Sequence, residues 1–260
     1  MRLVSAIITT YKRPIEILSR AVDSVLSQTY ENIEIIIVDD NREDDEGQKY
    51  SEAITDFIKN LKTTSRFPLA LYKTENGKHG GQPARNTGIH NASGEYIALL
   101  DDDDEWLPAK IEKQVKHLQN HPDAGMCFCN GNRINENFDP PMISNYNRAG
   151  VKSIVSYKEL LRSDCIGTTT QAMITRRAIE TIGGFDEAFP ARQDYEMWVR
   201  ISTKFPIVGI EENLFNYYIS KGNANGQVAQ NMDKCIQGHK LLYNKYKSDI
   251  DKDKAARYNV

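Results

Sequence analysis

The sequence predicts an α/β protein built on one mainly parallel sheet flanked by helices, with a helical extension at its C-terminus. Three observations carry this reading. The first hundred residues alternate between short β-rich runs and stretches of helical periodicity. Two of the runs, residues 33–38 (IEIIIV) and 96–100 (YIALL), are apolar almost throughout, as in strands covered on both faces. Polar and acidic residues follow the strands directly, at the edge where a parallel sheet collects ligands.

Each element follows in order. Residues 4–8 (VSAII) form the first strand. Pro14 opens a helix, because its fixed φ and missing N–H suit a first turn, and Leu18, Ala21, Val22 and Val25 share one face. After the strand at 33–38 comes a helix at 51–61, with Ala53, Ile54, Phe57, Ile58 and Leu61 spaced for a buried stripe. A short strand at 69–72, a helix from Pro83 to near Gly94 and the strand at 96–100 complete a β-α-β-α-β-α-β order with right-handed crossovers. The second half is less regular. It reads as a helix at 107–120, a strand at 125–129, an irregular polar loop at 130–151, and helices at 157–162, 176–182 and 194–204. Residues 225–247 form a long amphipathic helix with Val228, Met232, Cys235, Ile236, His239, Leu242, Tyr243 and Tyr246 at helical spacing. Such a helix could dock on the domain, pair with a second subunit, or make a peripheral membrane contact; an apolar stripe of this kind more often belongs to a core.

Composition narrows the function classes. The chain has 260 residues, 40% apolar and 27% charged, which is globular. Lys and Arg number 33 against 36 Asp and Glu, so the net charge is −3 and no basic surface excess exists to hold a nucleic acid. Four cysteines, including the C-x-C pair Cys127 and Cys129 in a strand, read as core thiols of a reducing compartment rather than zinc ligands or disulfides. The apolar run at the N-terminus stops at Thr9, and no stretch approaches 18 apolar residues. These features predict a cytoplasmic protein.

The chemistry gathers at strand ends. The first strand runs into Thr9-Thr10-Tyr11-Lys12-Arg13, the second into Asp39-Asp40-Asn41, and YIALL into Asp101-Asp102-Asp103-Asp104. One aspartate can cap a helix, here the one opened by Pro108. Four in succession repel one another unless a cation neutralises them. Carboxylates without clustered His or Cys favour Mg²⁺ or Mn²⁺, and such an ion usually completes its shell with phosphate oxygens. A phosphate ester is the ligand this implies. No P-loop or G-x-G-x-x-G motif is present, while Lys78 and Arg85 would bring positive charge to the same edge. Asp194, at the start of the helix bearing Met197, Trp198 and Ile201, reads either as an N-cap or as a general base at a helix mouth.

Taken together these residues resemble glycosyltransferase family 2, the inverting nucleotide-sugar transferases of GT-A fold. The resemblance covers about residues 3–221 and rests on VSAIITTYKRP, SQTY, IIIVDDN, GGQPARNTGIHNASGEYIALLDDDDEWLP, MITRRAIETIGGFDEAF and QDYEMWVR, in family order. It implies a single Rossmann-like sheet, with a GT-A domain at 1–221 and a helical extension at 222–260. Within the domain, 1–104 would bind nucleotide and 105–221 the acceptor. It also implies that Thr9, Tyr11, Arg13 and Arg85 line the nucleotide pocket. Asp39 would bond the uracil imide. Asp101 would contact ribose and Asp103 the metal, with Asp102 able to share either role. Asp194 would be the catalytic base. The implied partners are a UDP-sugar donor and a glycan or lipid-linked saccharide acceptor, with the enzyme serving cell-surface polysaccharide or glycoconjugate synthesis, in the cytoplasm or at the inner face of the membrane. Residues 130–151 and 164–171 would shape the acceptor site. Two positions depart from the pattern: Gln193 stands where Glu is usual, and Ser220 near a usual His. Two other readings stay open: a sugar-1-phosphate nucleotidyltransferase, which TTYKRP argues against for want of glycines, and a non-catalytic nucleotide-sugar-binding domain.

Overall fold

The structure is a computed structural model that describes residues 1–147, 149–219, 231–253 and 255. Its centre is one ten-stranded sheet. The strands are β1 (Val4–Thr10), β2 (Ile33–Asp39), β3 (Leu69–Lys73), β4 (Tyr96–Asp101), β5 (Glu105–Trp106), β6 (Met126–Asn135), β7 (Met142–Asn145), β8 (Ile154–Val155), β9 (Ala172–Thr175) and β10 (Ile207–Ile219). The order across the sheet is β3-β2-β1-β4-β9-β6-β10-β5, with β7 on β6 and β8 on β10. β1 pairs parallel with β2 and β4, β2 with β3, and β6 with β10, while β9 runs antiparallel between β4 and β6. The predicted mainly parallel sheet is therefore present.

The helices are α1 (Ile15–Leu26), α2 (Asp45–Leu61), α3 (Gly81–Asn91), α4 (Lys110–Asn120), α5 (Tyr157–Arg162), α6 (Arg176–Ile182), α7 (Gln193–Ser202) and α8 (Met232–Ile250). Side chains alternate across the sheet at period two. Ala6, Ile8, Ile35 and Ile37 enter a core with α1, α2 and α4, whereas Ile7, Ile36 and Val38 enter a second core with residues of α3 and α5 to α8. α2 begins at Asp45, ahead of the expected start at 51, because the Asp44 side chain caps it, accepting the Gly47 N–H at 2.7 Å.

Several expectations are corrected. Residues 130–151 are not an irregular loop: β6 continues to Asn135 and pairs antiparallel with β7. The 13-residue β10, absent from the sequence reading, pairs with β6 through two register shifts, so its apolar residues lose the alternation that marks a strand. In the tail, α8 starts at Met232; Val228 and the boundary at 221–222 lie outside the described residues. Met232 and Ile236 are exposed, and the inward face is instead Gly238, Leu242 and Ile250, with Tyr243 and Tyr246 packed on the second core. Of the three fates open to the tail, docking on its own domain is the one observed. Cys127 and Cys129 are fully buried in β6, and none of the four cysteines forms a disulfide. Among the described residues no helix is long and apolar enough to cross a membrane.

Candidate active site

Register brings the strand ends together. Thr9 lies beside Asp101 and Val38, and Thr10 beside Asp39. Past β1 the chain turns at Lys12, whose φ of 47° is left-handed and whose N–H donates to Asn41 Oδ1 at 2.7 Å. The turn sends Arg13 to the aspartate run. Its Nε donates to Asp102 Oδ1 at 3.0 Å and its Nη2 to Asp103 Oδ2 at 3.2 Å. Tyr11 remains at the rim, 39% exposed.

Asp101 is matched by Arg85, whose Nη2 donates to it at 2.6 Å, and by the hydroxyls of Thr168 and Thr169 at 3.1 and 3.0 Å. Burial works against its ionisation, but Arg85 and these hydroxyls outweigh it and hold the carboxyl below its ordinary range. The other three are undercompensated. Burial raises Asp102 despite Arg13, and burial with the neighbouring Asp102 charge pushes Asp103 up to about 7. Asp104 lies well above its usual value; it accepts from Thr170 at 2.5 Å, while its Oδ1 is buried without a partner. The run is no helix cap, since α4 begins at Lys110 with Ala109 before it. This surplus of buried negative charge suits a hard dication. Among the described residues no three acidic, His or Cys side chains form a ready cage, so most ligands would have to be phosphate or water oxygens.

Asp39 stands at the end of β2 with partners of its own. Its Oδ1 accepts from the Asn41 N–H at 2.9 Å and from Asn41 Nδ2 at 2.7 Å, and Lys73 Nζ lies 3.0 Å from its Oδ2. Asp40 ties down the segment at 77–81 (GKHGG) by accepting the Gly80 N–H at 2.8 Å. Lys78 does not reach this edge; it pairs with Glu187 at 2.5 Å.

Asp194 is not an N-cap. α7 starts at Gln193, and its cap is Arg192, left-handed at φ 62°, with no side-chain cap bond. A non-glycine residue in that region costs on the order of 1–2 kcal/mol, so the turn is imposed by its surroundings. Asp194 Oδ1 accepts the Tyr195 N–H at 2.8 Å. Burial first, then the Asp164 charge, raises its carboxyl to about 6, while Arg85 pulls it down. Asp194 therefore shares one charge network with Arg85 and Asp101. Gln193, beside it, keeps its Oε1 buried without a partner, and Ser220 lies outside the described residues. Next to this network a cleft of about 490 Å³ is lined by Arg133, Tyr146 and Tyr217 from one side and Asp164, Ile166 and Gly167 from the other, uniting parts of both stretches expected to shape the acceptor site.

Residues 5–183 match the profile of Glycosyl transferase family 2. The chain belongs to glycosyltransferase family 2. Along this family 2 chain, 225 residues are 31% identical to an uncharacterized glycosyltransferase, MJ1057, of Methanocaldococcus jannaschii, covering 84% of this chain and 71% of that one. Over 199 residues it is 30% identical to the UDP-Glc:alpha-D-GlcNAc-diphosphoundecaprenol beta-1,3-glucosyltransferase WfgD of Escherichia coli, covering 76% and 69%. The crystal structure of S. aureus TarS 1-349 in complex with UDP-GlcNAc superposes with a TM-score of 0.64 at 14% identity, covering 85% of this chain and 59% of that one. The transferase also spans 37% of the length of further curated relatives. Its fold is GT-A.

Sequence reasoning named Thr9, Tyr11, Arg13, Asp39, Arg85, Asp101, Asp102, Asp103 and Asp194. It missed Lys73, and it placed Asp164 and the hydroxyls of Thr168, Thr169 and Thr170 only within the stretch 164–171 expected at the acceptor site, without their links to Asp194, Asp101 and Asp104. Lys73 becomes visible only when β2 and β3 are aligned, which sets it opposite Asp39. The threonines lie in a segment without periodicity; their one signal is the T-T-T run itself.

Proposed function

We propose that this glycosyltransferase is an inverting enzyme that moves a sugar from a UDP-sugar to a hydroxyl of a glycan or lipid-linked saccharide, in the synthesis of a cell-surface polysaccharide or glycoconjugate. The observation that carries the reading is Asp194, a half-buried carboxyl raised to about 6 at a helix mouth, in one charge network with Arg85 and Asp101. A single base suits inversion. Asp194 would take the acceptor proton as the hydroxyl attacks the anomeric carbon from the face opposite the diphosphate.

The donor side supports uridine. Asp39 has Asn41 Nδ2 on its Oδ1 and Lys73 Nζ on its Oδ2, so a base edge placed against the three groups would meet donor, acceptor and donor. The imide edge of uracil offers acceptor, donor and acceptor. Guanine would set its amino group against a donor, and cytosine has no N3–H. Thr9, Tyr11, Arg13, Asp101 and Asp102 would line the nucleotide pocket, and Arg85 would face the diphosphate. Asp103, with Asp102 able to share the role, would hold Mg²⁺ or Mn²⁺, which supplies charge stabilisation to the leaving diphosphate when bound. Support for the acceptor class comes from WfgD, whose name specifies a diphosphoundecaprenol-linked sugar. The test is turnover of a radiolabelled UDP-sugar panel with Mn²⁺, scored for transfer and for hydrolysis to water. Absence of turnover with every UDP-sugar, alongside tight UDP binding, would leave a binding domain instead of an enzyme.

A further inference from the structure

The segment carrying Asp194 is gripped from outside by α8, which lies beyond the residues matched by the family profile. The grip has two points. At the first, Gly238 meets Ala191: a Cβ on Gly238 would overlap the Ala191 carbonyl oxygen and lie 3.0 Å from its carbon. Only glycine lets the helix come this close to the main chain, immediately before the left-handed Arg192. At the second point, Glu196 is fully buried one turn inside α7, where Lys245 Nζ approaches it at 2.8 Å and the Tyr246 hydroxyl donates to it at 3.1 Å. Lys245 also reaches Asp186 at 2.7 Å. Leu242, between the two points, is buried in the second core. Asp194 lies between Ala191 and Glu196, so α8 holds the chain on both sides of it.

We propose that Gly238 and Lys245 are positioning residues for proton abstraction: by fixing the 191–192 turn and the first turn of α7, they set where the Asp194 carboxylate stands relative to Arg85 and Asp101. This rests on Asp194 being the base. A base must lie within hydrogen-bond reach of its proton, and a displacement of about 1 Å costs on the order of 100-fold in rate. The nucleotide-side residues Asp39 and Asp103 hang from β2 and the end of β4, so donor binding should not follow the displacement.

The test uses the full chain with Gly238→Ala, Lys245→Met and, as a control, Leu242→Ala, which opens a cavity under the same helix at neither of the two points. Four quantities are read: UDP release from whichever of UDP-glucose and UDP-N-acetylglucosamine the wild type turns over faster, its pH profile, UDP affinity by calorimetry, and the melting temperature. Gly238→Ala should lower kcat about 10- to 100-fold and Lys245→Met about 10-fold, both with UDP affinity within about twofold of wild type. Leu242→Ala should lose at least as much thermal stability and keep kcat within about twofold. Wild-type kcat in Gly238→Ala overturns the proposal, as does a kcat loss that simply tracks melting temperature across the three variants. Should Gly238→Ala fail to fold, Lys245→Met decides by the same criteria. Asp194→Asn in the same assay separates the layers. Full turnover in that variant removes the base assignment itself. Loss of turnover there, with none in the α8 variants, removes only the role of α8.

Discussion

Asp103 and Asp194 are both carboxyls raised by burial, yet substitution should separate them. Asp103→Ala should abolish the Mn²⁺-dependent part of UDP affinity, read by calorimetry with and without the ion. Asp194→Asn should leave UDP affinity intact and lower transfer by about 10²–10⁴-fold, the range for loss of a positioned base. Its stability has a definite sign. Between about pH 4 and 6 the unfolded chain has released this proton while the folded chain keeps it, so the wild type loses stability as pH rises through that window. Asp194→Asn should thus melt no lower than wild type at pH 7–8, with any gain vanishing near pH 4. Transfer by the wild type should fall tenfold per pH unit below about pH 6, where the base is protonated. Lys73→Met should weaken UDP binding and narrow its margin over GDP; an unchanged UDP-to-GDP ratio would remove Lys73 from base recognition. Asp103 and Asp194 were marked in sequence as candidates because one follows a buried strand and the other opens a helix, each inside a block that resembles the family. Lys73 was not, because its place opposite Asp39 arises from strand register, and Asp164 was marked only as part of the stretch 164–171, since no periodicity shows its approach to Asp194.

Among the elements, β1, β2, β4 and the helices α1 and α3 to α7 were legible to within a few residues, the strands as short apolar runs buried on both faces and most of the helices by an apolar stripe. The β6–β7–β10 region was not. There Asn132 donates to Asn216 at 2.9 Å, and Asn213 donates to Asn132 and Asn145 at 2.8 and 3.0 Å. Amide side chains, rather than apolar burial, join these strand ends, and a hydrophobic pattern cannot register them. The opposite case is the packing of α3 on the sheet. A Cβ on Gly88 would collide with Ile7 and lie 3.3 Å from Val38 Cγ2. Gly88→Ala should therefore destabilise by about 1–3 kcal/mol as an overpacking change, measured by urea unfolding. Unchanged stability would mean that α3 can lift away from β1 without loss.

For the whole molecule, one sheet divides two cores, and the strand-end carboxylates hang from a single edge of it. Ligand binding at that edge should raise the melting temperature of the entire chain: about 2.7 kcal/mol at a ligand concentration 100 times the dissociation constant. UDP with Mn²⁺ should protect more than UDP alone, and more than GDP with Mn²⁺, in a thermal shift series. The same sheet also contains a built-in reporter. Burial pushes the Cys129 thiol up to about 12 and raises the Cys127 thiol well above its ordinary value, so neither offers a thiolate to a reagent while β6 keeps its place between β9 and β10. Cys165 and Cys235 are only half-buried. In a pulse of iodoacetamide the outer pair marks motions that leave the sheet closed, and modification of the inner pair counts the molecules in which it has come apart. The protein can thus be timed as it opens by mass spectrometry of its own cysteines, with no label engineered in.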